Sequence, residues 1–173
     1  MSAIDEPRDA SEAAGKSIPA SDQLTVDEAT RATLPQLRYA DAVWAAHQEL
    51  ALIPDALETG VRAESPGGGR ELFIRLEWLP GHEELARPAV KSDGLTVEWS
   101  HLAGWIVRSG DDLHMPDLDQ LAAPEVVADL AMHAALCGPG CACPKVPAGR
   151  WEHAVYLDVA LVAYDERTGG QIG

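Results

Sequence analysis

The sequence predicts an α+β domain: an antiparallel meander of three to four strands with helices on one face, in the order α-β-β-β-β-α-α. Three observations predict it. Apolar residues make up 46% of the 173, ample for an ordinary core. The central segment alternates apolar and polar residues with a period of two, as a sheet covered on one side requires. The segments before and after it carry apolar residues at helical spacing.

The first helix follows Thr33-Leu-Pro-Gln36, which has the form of a capping box with Pro in the first turn. Leu37, Ala40, Trp44, His47 and Ala51 form one stripe, with Val43 and Leu50 beside it, and Pro54 ends the helix. A weaker strand is expected at Gly60–Glu64, then a glycine-rich hairpin loop at Ser65-Pro-Gly-Gly-Gly69. These glycines do not open a helix after a strand, which argues against a phosphate-binding loop. Glu71–Leu79 sets Leu72, Ile74, Leu76 and Trp78 against Phe73, Arg75 and Glu77. A polar loop is expected between Pro80 and Asp93. Leu95–Ser100 sets Leu95, Val97 and Trp99 against Thr96 and Glu98. A short turn at His101–Ala103 leads to the strand Gly104–Arg108.

Pro124 starts a second helix, with Glu125 favourably placed near its positive end. Val126, Val127, Leu130, Ala134 and Cys137 share one side, and Gly138-Pro139 stops it. Trp151–Tyr164 carries two signals. Val155, Leu157, Val159 and Leu161 alternate like a strand, whereas Ala154, Ala160, Ala163 and Gly169 suit a helix, the reading preferred here. The five tryptophans, Trp44, Trp78, Trp99, Trp105 and Trp151, are expected to anchor the core first and to serve a binding surface second.

Residues 1–27 are small, polar and acidic. Residues 1–30 hold seven acids and two bases. Such a segment buries too little apolar surface to offset its ordering entropy, so a disordered tail is expected before a single domain at 28–173. The formal net charge of −15 repels phosphate backbones and argues against direct nucleic-acid binding. The N-terminus lacks a basic segment followed by an apolar one, and no stretch approaches the roughly 20 apolar residues of a membrane span. A cytoplasmic chain with reduced thiols is the expectation, and its three cysteines fit no simple disulfide framework.

One segment carries chemistry: His133-Ala-Ala-Leu-Cys137-Gly-Pro-Gly-Cys141-Ala-Cys143. His133 and Cys137 lie four apart and share a helix side. Gly138-Pro139-Gly140 lets the chain turn and return Cys141 and Cys143. Three thiolates and an imidazole are a common tetrahedral zinc set, so His133, Cys137, Cys141 and Cys143 are the candidate ligands, with His153 as an alternative fourth. The competing reading makes Cys137 and His133 core residues and leaves Cys141 and Cys143 in a surface loop. A redox pair is disfavoured because Cys-x-Cys lacks an activating context.

Other combinations read as scaffold. Glu77, Glu98 and His101 could meet in acid–base work, but a cross-strand ion pair with Arg75 nearby is simpler. Ser100-His101 lacks a nucleophile elbow. Asp111, Asp112, Asp117 and Asp119 lack a calcium-loop pattern. His47, His82 and His114 are scattered, and structural or solvent-exposed roles are expected for them.

The strands carrying Leu95-Thr-Val-Glu-Trp99 and Gly104-Trp105, followed by the helix at Pro124-Glu-Val-Val-Ala, resemble a small uncharacterised domain family of high-GC actinobacteria. The resemblance spans roughly residues 38–136, leaves the cysteine segment outside, and implies no established activity. The functional expectation is a non-enzymatic protein-interaction or regulatory module with a zinc site. An acidic decoy occupying the surface of a DNA-binding protein is the alternative, and an enzyme of unknown class a third.

Overall fold

The computed structural model describes residues 33–63, 69–141, 143 and 148–169. The expected acidic tail at 1–27 and most of the hairpin loop at 65–69 lie outside the described residues. The elements run α1 (Leu37–Glu49), β1 (Ala56–Ala63), β2 (Arg70–Trp78), α2 (Pro88–Asp93), β3 (Leu95–Ser100), β4 (Gly104–Ser109), β5 (Asp112–His114), α3 (Pro124–Cys137) and α4 (Ala154–Gly169). The strands form one antiparallel meander in the order β1-β2-β3-β4-β5. The α+β fold and its element order match the sequence reading. Five strands replace the expected three or four because β5 adds a short rung.

Period-two burial holds through the centre. Leu72, Ile74, Leu76 and Trp78 are fully buried. Register places Ile74 beside Trp99 and Trp99 beside Trp105, and likewise Leu76 beside Val97 and Val97 beside Val107. These rows form the floor on which α1, α3 and α4 pack. Trp78, Trp99 and Trp105 are buried, whereas Trp44 and Trp151 are half-buried. No helix among the described residues is long and apolar enough to cross a membrane.

The opposite sheet face is polar. Arg62 bridges Glu71 at 2.6 Å and Glu98 at 2.7 Å, and its guanidinium lies 5.1 Å from the Phe73 ring centre. The Arg62 hydrogen bond is the main reason the Glu71 carboxyl is held below its ordinary range. Arg75 pairs with Glu77 along β2.

α1 departs from the sequence reading at both ends and in part of its face, where Ala40, Val43 and His47 are buried as expected. The capping box is not formed: Gln36 occupies the N-cap without a side-chain cap bond. Its buried amide instead donates to the Gly60 carbonyl at 2.9 Å, because tying the helix start to β1 satisfies a buried group that solvent cannot reach. The buried stripe is Tyr39, Ala40, Val43, Ala46 and His47, leaving Trp44 half-buried and Ala51 exposed. The helix stops before Pro54. Ala51 takes a left-handed φ of 56°, with Ala51 N–H donating to the Gln48 carbonyl and Leu52 N–H to the His47 carbonyl, which is a Schellman ending.

The expected polar loop at 81–93 contains α2, led by Pro88. Gly94 follows it with φ 79° and ψ 178°, a backbone region open essentially to glycine alone. An added Cβ there would sit 2.7 Å from the Trp78 carbonyl. The ambiguous last element is a helix. Ala154, Leu157, Leu161 and Tyr164 form its buried line.

Candidate metal centre

The candidate ligands are positioned by the end of α3. His133 and Cys137 stand one helical turn apart on that helix. The helix stops at Gly138, whose φ of 99° suits glycine, and an added Cβ would run into the Arg87 guanidinium. Arg87 donates to the Cys137 carbonyl, a favourable place for a cation at the negative end of a helix. The Ala86 and Arg87 N–H groups both donate to the Ala135 carbonyl. The helix end is thus clamped by the segment that leads into α2. Cys141 N–H then donates to the Gly138 carbonyl at 3.3 Å, closing the turn that sends the cysteines back.

This turn brings His133, Cys141 and Cys143 together, with one ligand atom from each within 4.8 Å of the others. All three side chains are half-buried. The cluster could hold a metal ion. Cys137 contributes a fourth candidate atom: its sulfur lies 3.4 Å from that of Cys143. Tetrahedral zinc with Zn–S near 2.3 Å sets thiolates about 3.8 Å apart. Cys137 touches the cluster through Cys143 but stands outside the group formed by His133, Cys141 and Cys143. Hydrogen bonding with Cys141 and then Cys137 pushes the Cys143 thiol up to about 12. Three crowded thiolates repel one another, and a bound cation reverses that balance.

His153, the alternative ligand, is placed elsewhere. It lies at the start of α4, its ring 5.4 Å from that of Trp151 and its Nε2 3.4 Å from Glu152. The histidine that sequence reasoning missed is His114 on β5. It lines a cavity of about 380 Å³ together with His133, Cys141 and Cys143. Its Nδ1 lies 3.8 Å from where a Gly140 Cβ would stand. No local spacing could have found it, since only the sheet topology carries β5 to the end of α3.

The candidate acid–base trio does not assemble. Glu77 and Glu98 lie on the polar sheet face, whereas His101 is buried in the turn after β3. His101 Nδ1 accepts the Leu72 N–H at 2.9 Å. The ring proton is therefore on Nε2, which donates to Asp165 at 3.1 Å. His101 thus ties α4 to β2. The Ser100 hydroxyl accepts the N–H groups of Leu102 and Ala103, so it caps the turn.

A separate cleft of about 800 Å³ lies between α1 and α4, lined by Arg38, Trp151, His153 and Tyr156 among others. Glu152 and His153, 81% and 58% exposed, stand on its rim. No family model matches the chain, and neither a curated protein nor a solved structure matches it.

Proposed function

We propose that the chain is a non-enzymatic protein-interaction module whose connection from α3 to α4 is closed by a zinc ion. The observation that carries this reading is the convergence of His133, Cys141 and Cys143 with the Cys137 sulfur 3.4 Å from Cys143. Sulfur-rich tetrahedral sets of this kind suit zinc in a structural role. The reading assumes a cytoplasmic location, where thiols stay reduced. Half-burial of the cluster and its richness in thiols favour a structural ion, with Cys137 as the fourth ligand once its side chain turns toward the other three. A decoy for DNA-binding proteins would set carboxylates in rows. On the open sheet face Arg62, Arg75 and Arg108 interleave with the acids, so no specific observation favours that alternative.

The test is elemental analysis of untagged protein purified under reducing conditions. Zinc near one equivalent is expected, with the three thiols protected from titration until a chelator is added. Cys141→Ser and Cys143→Ser should each lower retained zinc at least about tenfold, in line with the loss of one ligand. Metal-free protein with three freely titrating thiols overturns the reading.

A further inference from the structure

We propose that the outward face of α4 is a docking seam for a basic amphipathic helix of another protein. This rests on the interaction-module reading and names the surface and the chemistry of the partner. α4 has two apolar lines. The inner line, Ala154, Leu157, Leu161 and Tyr164, is buried. The outer line is Val155, Val159 and Val162, exposed by 66%, 66% and 59%, with Tyr156 beside it at 77%. Tyr156, Val155 and Val159 are the three most exposed large apolar side chains among the described residues. Scattered exposed apolar residues are ordinary, but a contiguous set on one element marks an interaction surface.

The spacing says what kind of surface. Val155, Val159 and Val162 stand four and three residues apart, the repeat by which one helix packs along another. A helix with apolar lines on two faces is normally covered on both. The seam also continues into the cleft between α1 and α4 through Tyr156 and Ala160, with Trp151 in its lining. An aromatic-lined recess beside an aliphatic seam is where interface anchors seat.

Charge decides the occupant. Glu152 is exposed in the turn before α4, and at its far end Asp165 and Glu166 are exposed beside a single base, Arg167, so both ends of the seam carry net negative charge. In an antiparallel pairing with a second copy, Glu152 would face Glu166; in a parallel pairing each would face itself. Each chain also carries a formal charge of −15. The segment 1–30 holds seven acids and two bases, so it lacks the complementary charge. A helix with an aliphatic stripe and Lys or Arg at both ends complements the seam in shape and sign.

The probe is a synthetic helix of about three heptads, with Leu on one stripe and Lys at both ends, and the same peptide with Glu in place of Lys. Each is titrated against the full chain by fluorescence anisotropy, and the chain alone is sedimented. The Lys peptide should bind at least about tenfold tighter than the Glu peptide, and V159E should weaken it by a further factor of about ten or more. Val159 is exposed, so the variant should keep the wild-type circular dichroism spectrum. Equal binding of both peptides, no binding of either, or indifference to V159E overturns the proposal. A wild-type dimer that V159E dissolves assigns the seam to a second copy and overturns it as well. Zinc content measured on the same samples keeps the two readings apart: failed docking by zinc-loaded protein leaves the metal site standing.

Discussion

Replacing Tyr39 by Phe removes one hydroxyl from the point where the helices, the sheet and the connection to α4 meet. The Tyr39 ring lies 5.9 Å from Trp99, 6.0 Å from Trp105 and 4.9 Å from Trp151, the first two edge-on. Its hydroxyl donates to the Ala122 carbonyl at 2.5 Å, across 83 residues of chain. The side chain is fully buried, and burial pushes its phenol pKa well above the ordinary value. A hydrogen bond of this kind contributes about 1 kcal/mol net, and a desolvated carbonyl left without its donor costs about 1–3 kcal/mol. Tyr39→Phe should therefore destabilise by roughly 1.5 kcal/mol, a urea midpoint shift of about 0.75 M if the slope is about 2 kcal/mol/M. Tyr39→Ala also removes the ring contacts and should cost about 4 kcal/mol. Equilibrium urea unfolding, followed by tryptophan fluorescence and by circular dichroism, measures both. A Tyr39→Phe effect below about 0.5 kcal/mol, or a Tyr39→Ala effect below about 2 kcal/mol, would refute the idea that this residue joins the layers.

Two further changes are informative. His47 is fully buried against Trp78, and desolvation holds its pKa below the ordinary histidine value. The unfolded chain then takes up a proton first as pH falls through about 6.5, so this contribution is fully present above that pH and lost on acidification. Urea midpoints should drop between about pH 7.5 and about pH 5.5, and H47L should flatten most of that drop; equal slopes in the two proteins would count against it. Ala51 holds a left-handed conformation that costs a residue with a Cβ about 1 kcal/mol. A51G should raise the melting temperature by about 2–4 °C, and an unchanged or lower value would show that the turn is not strained.

The sheet was legible because its burial follows one simple rule. Leu76, Val97 and Trp105 each sit where alternation places them, and all three are buried. The short elements were not legible for the same physical reason: six residues of α2 and three of β5 are too few for a period to appear. The face of α1 was legible in Ala40, Val43 and His47, which are buried as read, but the aromatic anchor is Tyr39 and not Trp44, which is half-buried. The ambiguity of 151–164 has a structural cause. An inner line through Leu157 and Leu161 and an outer line through Val155 and Val159 interleave in sequence as a false period of two. Three candidate ligands, His133, Cys141 and Cys143, could be read directly because a single turn after α3 brings them together. His114 could not, since it arrives from another layer of the fold.

Among the described residues the sheet ends in two borders, and their construction limits how a strand of another molecule could add to it. One border is β5, three residues long, too short to template a foreign strand. The other is β1, where Glu58 and Arg62 bring charge to the rim and the Gln36 amide caps the Gly60 carbonyl midway along it. Short, charged or capped borders discourage main-chain pairing between molecules. Crowding this protein should therefore not drive it into fibres by sheet extension along either border.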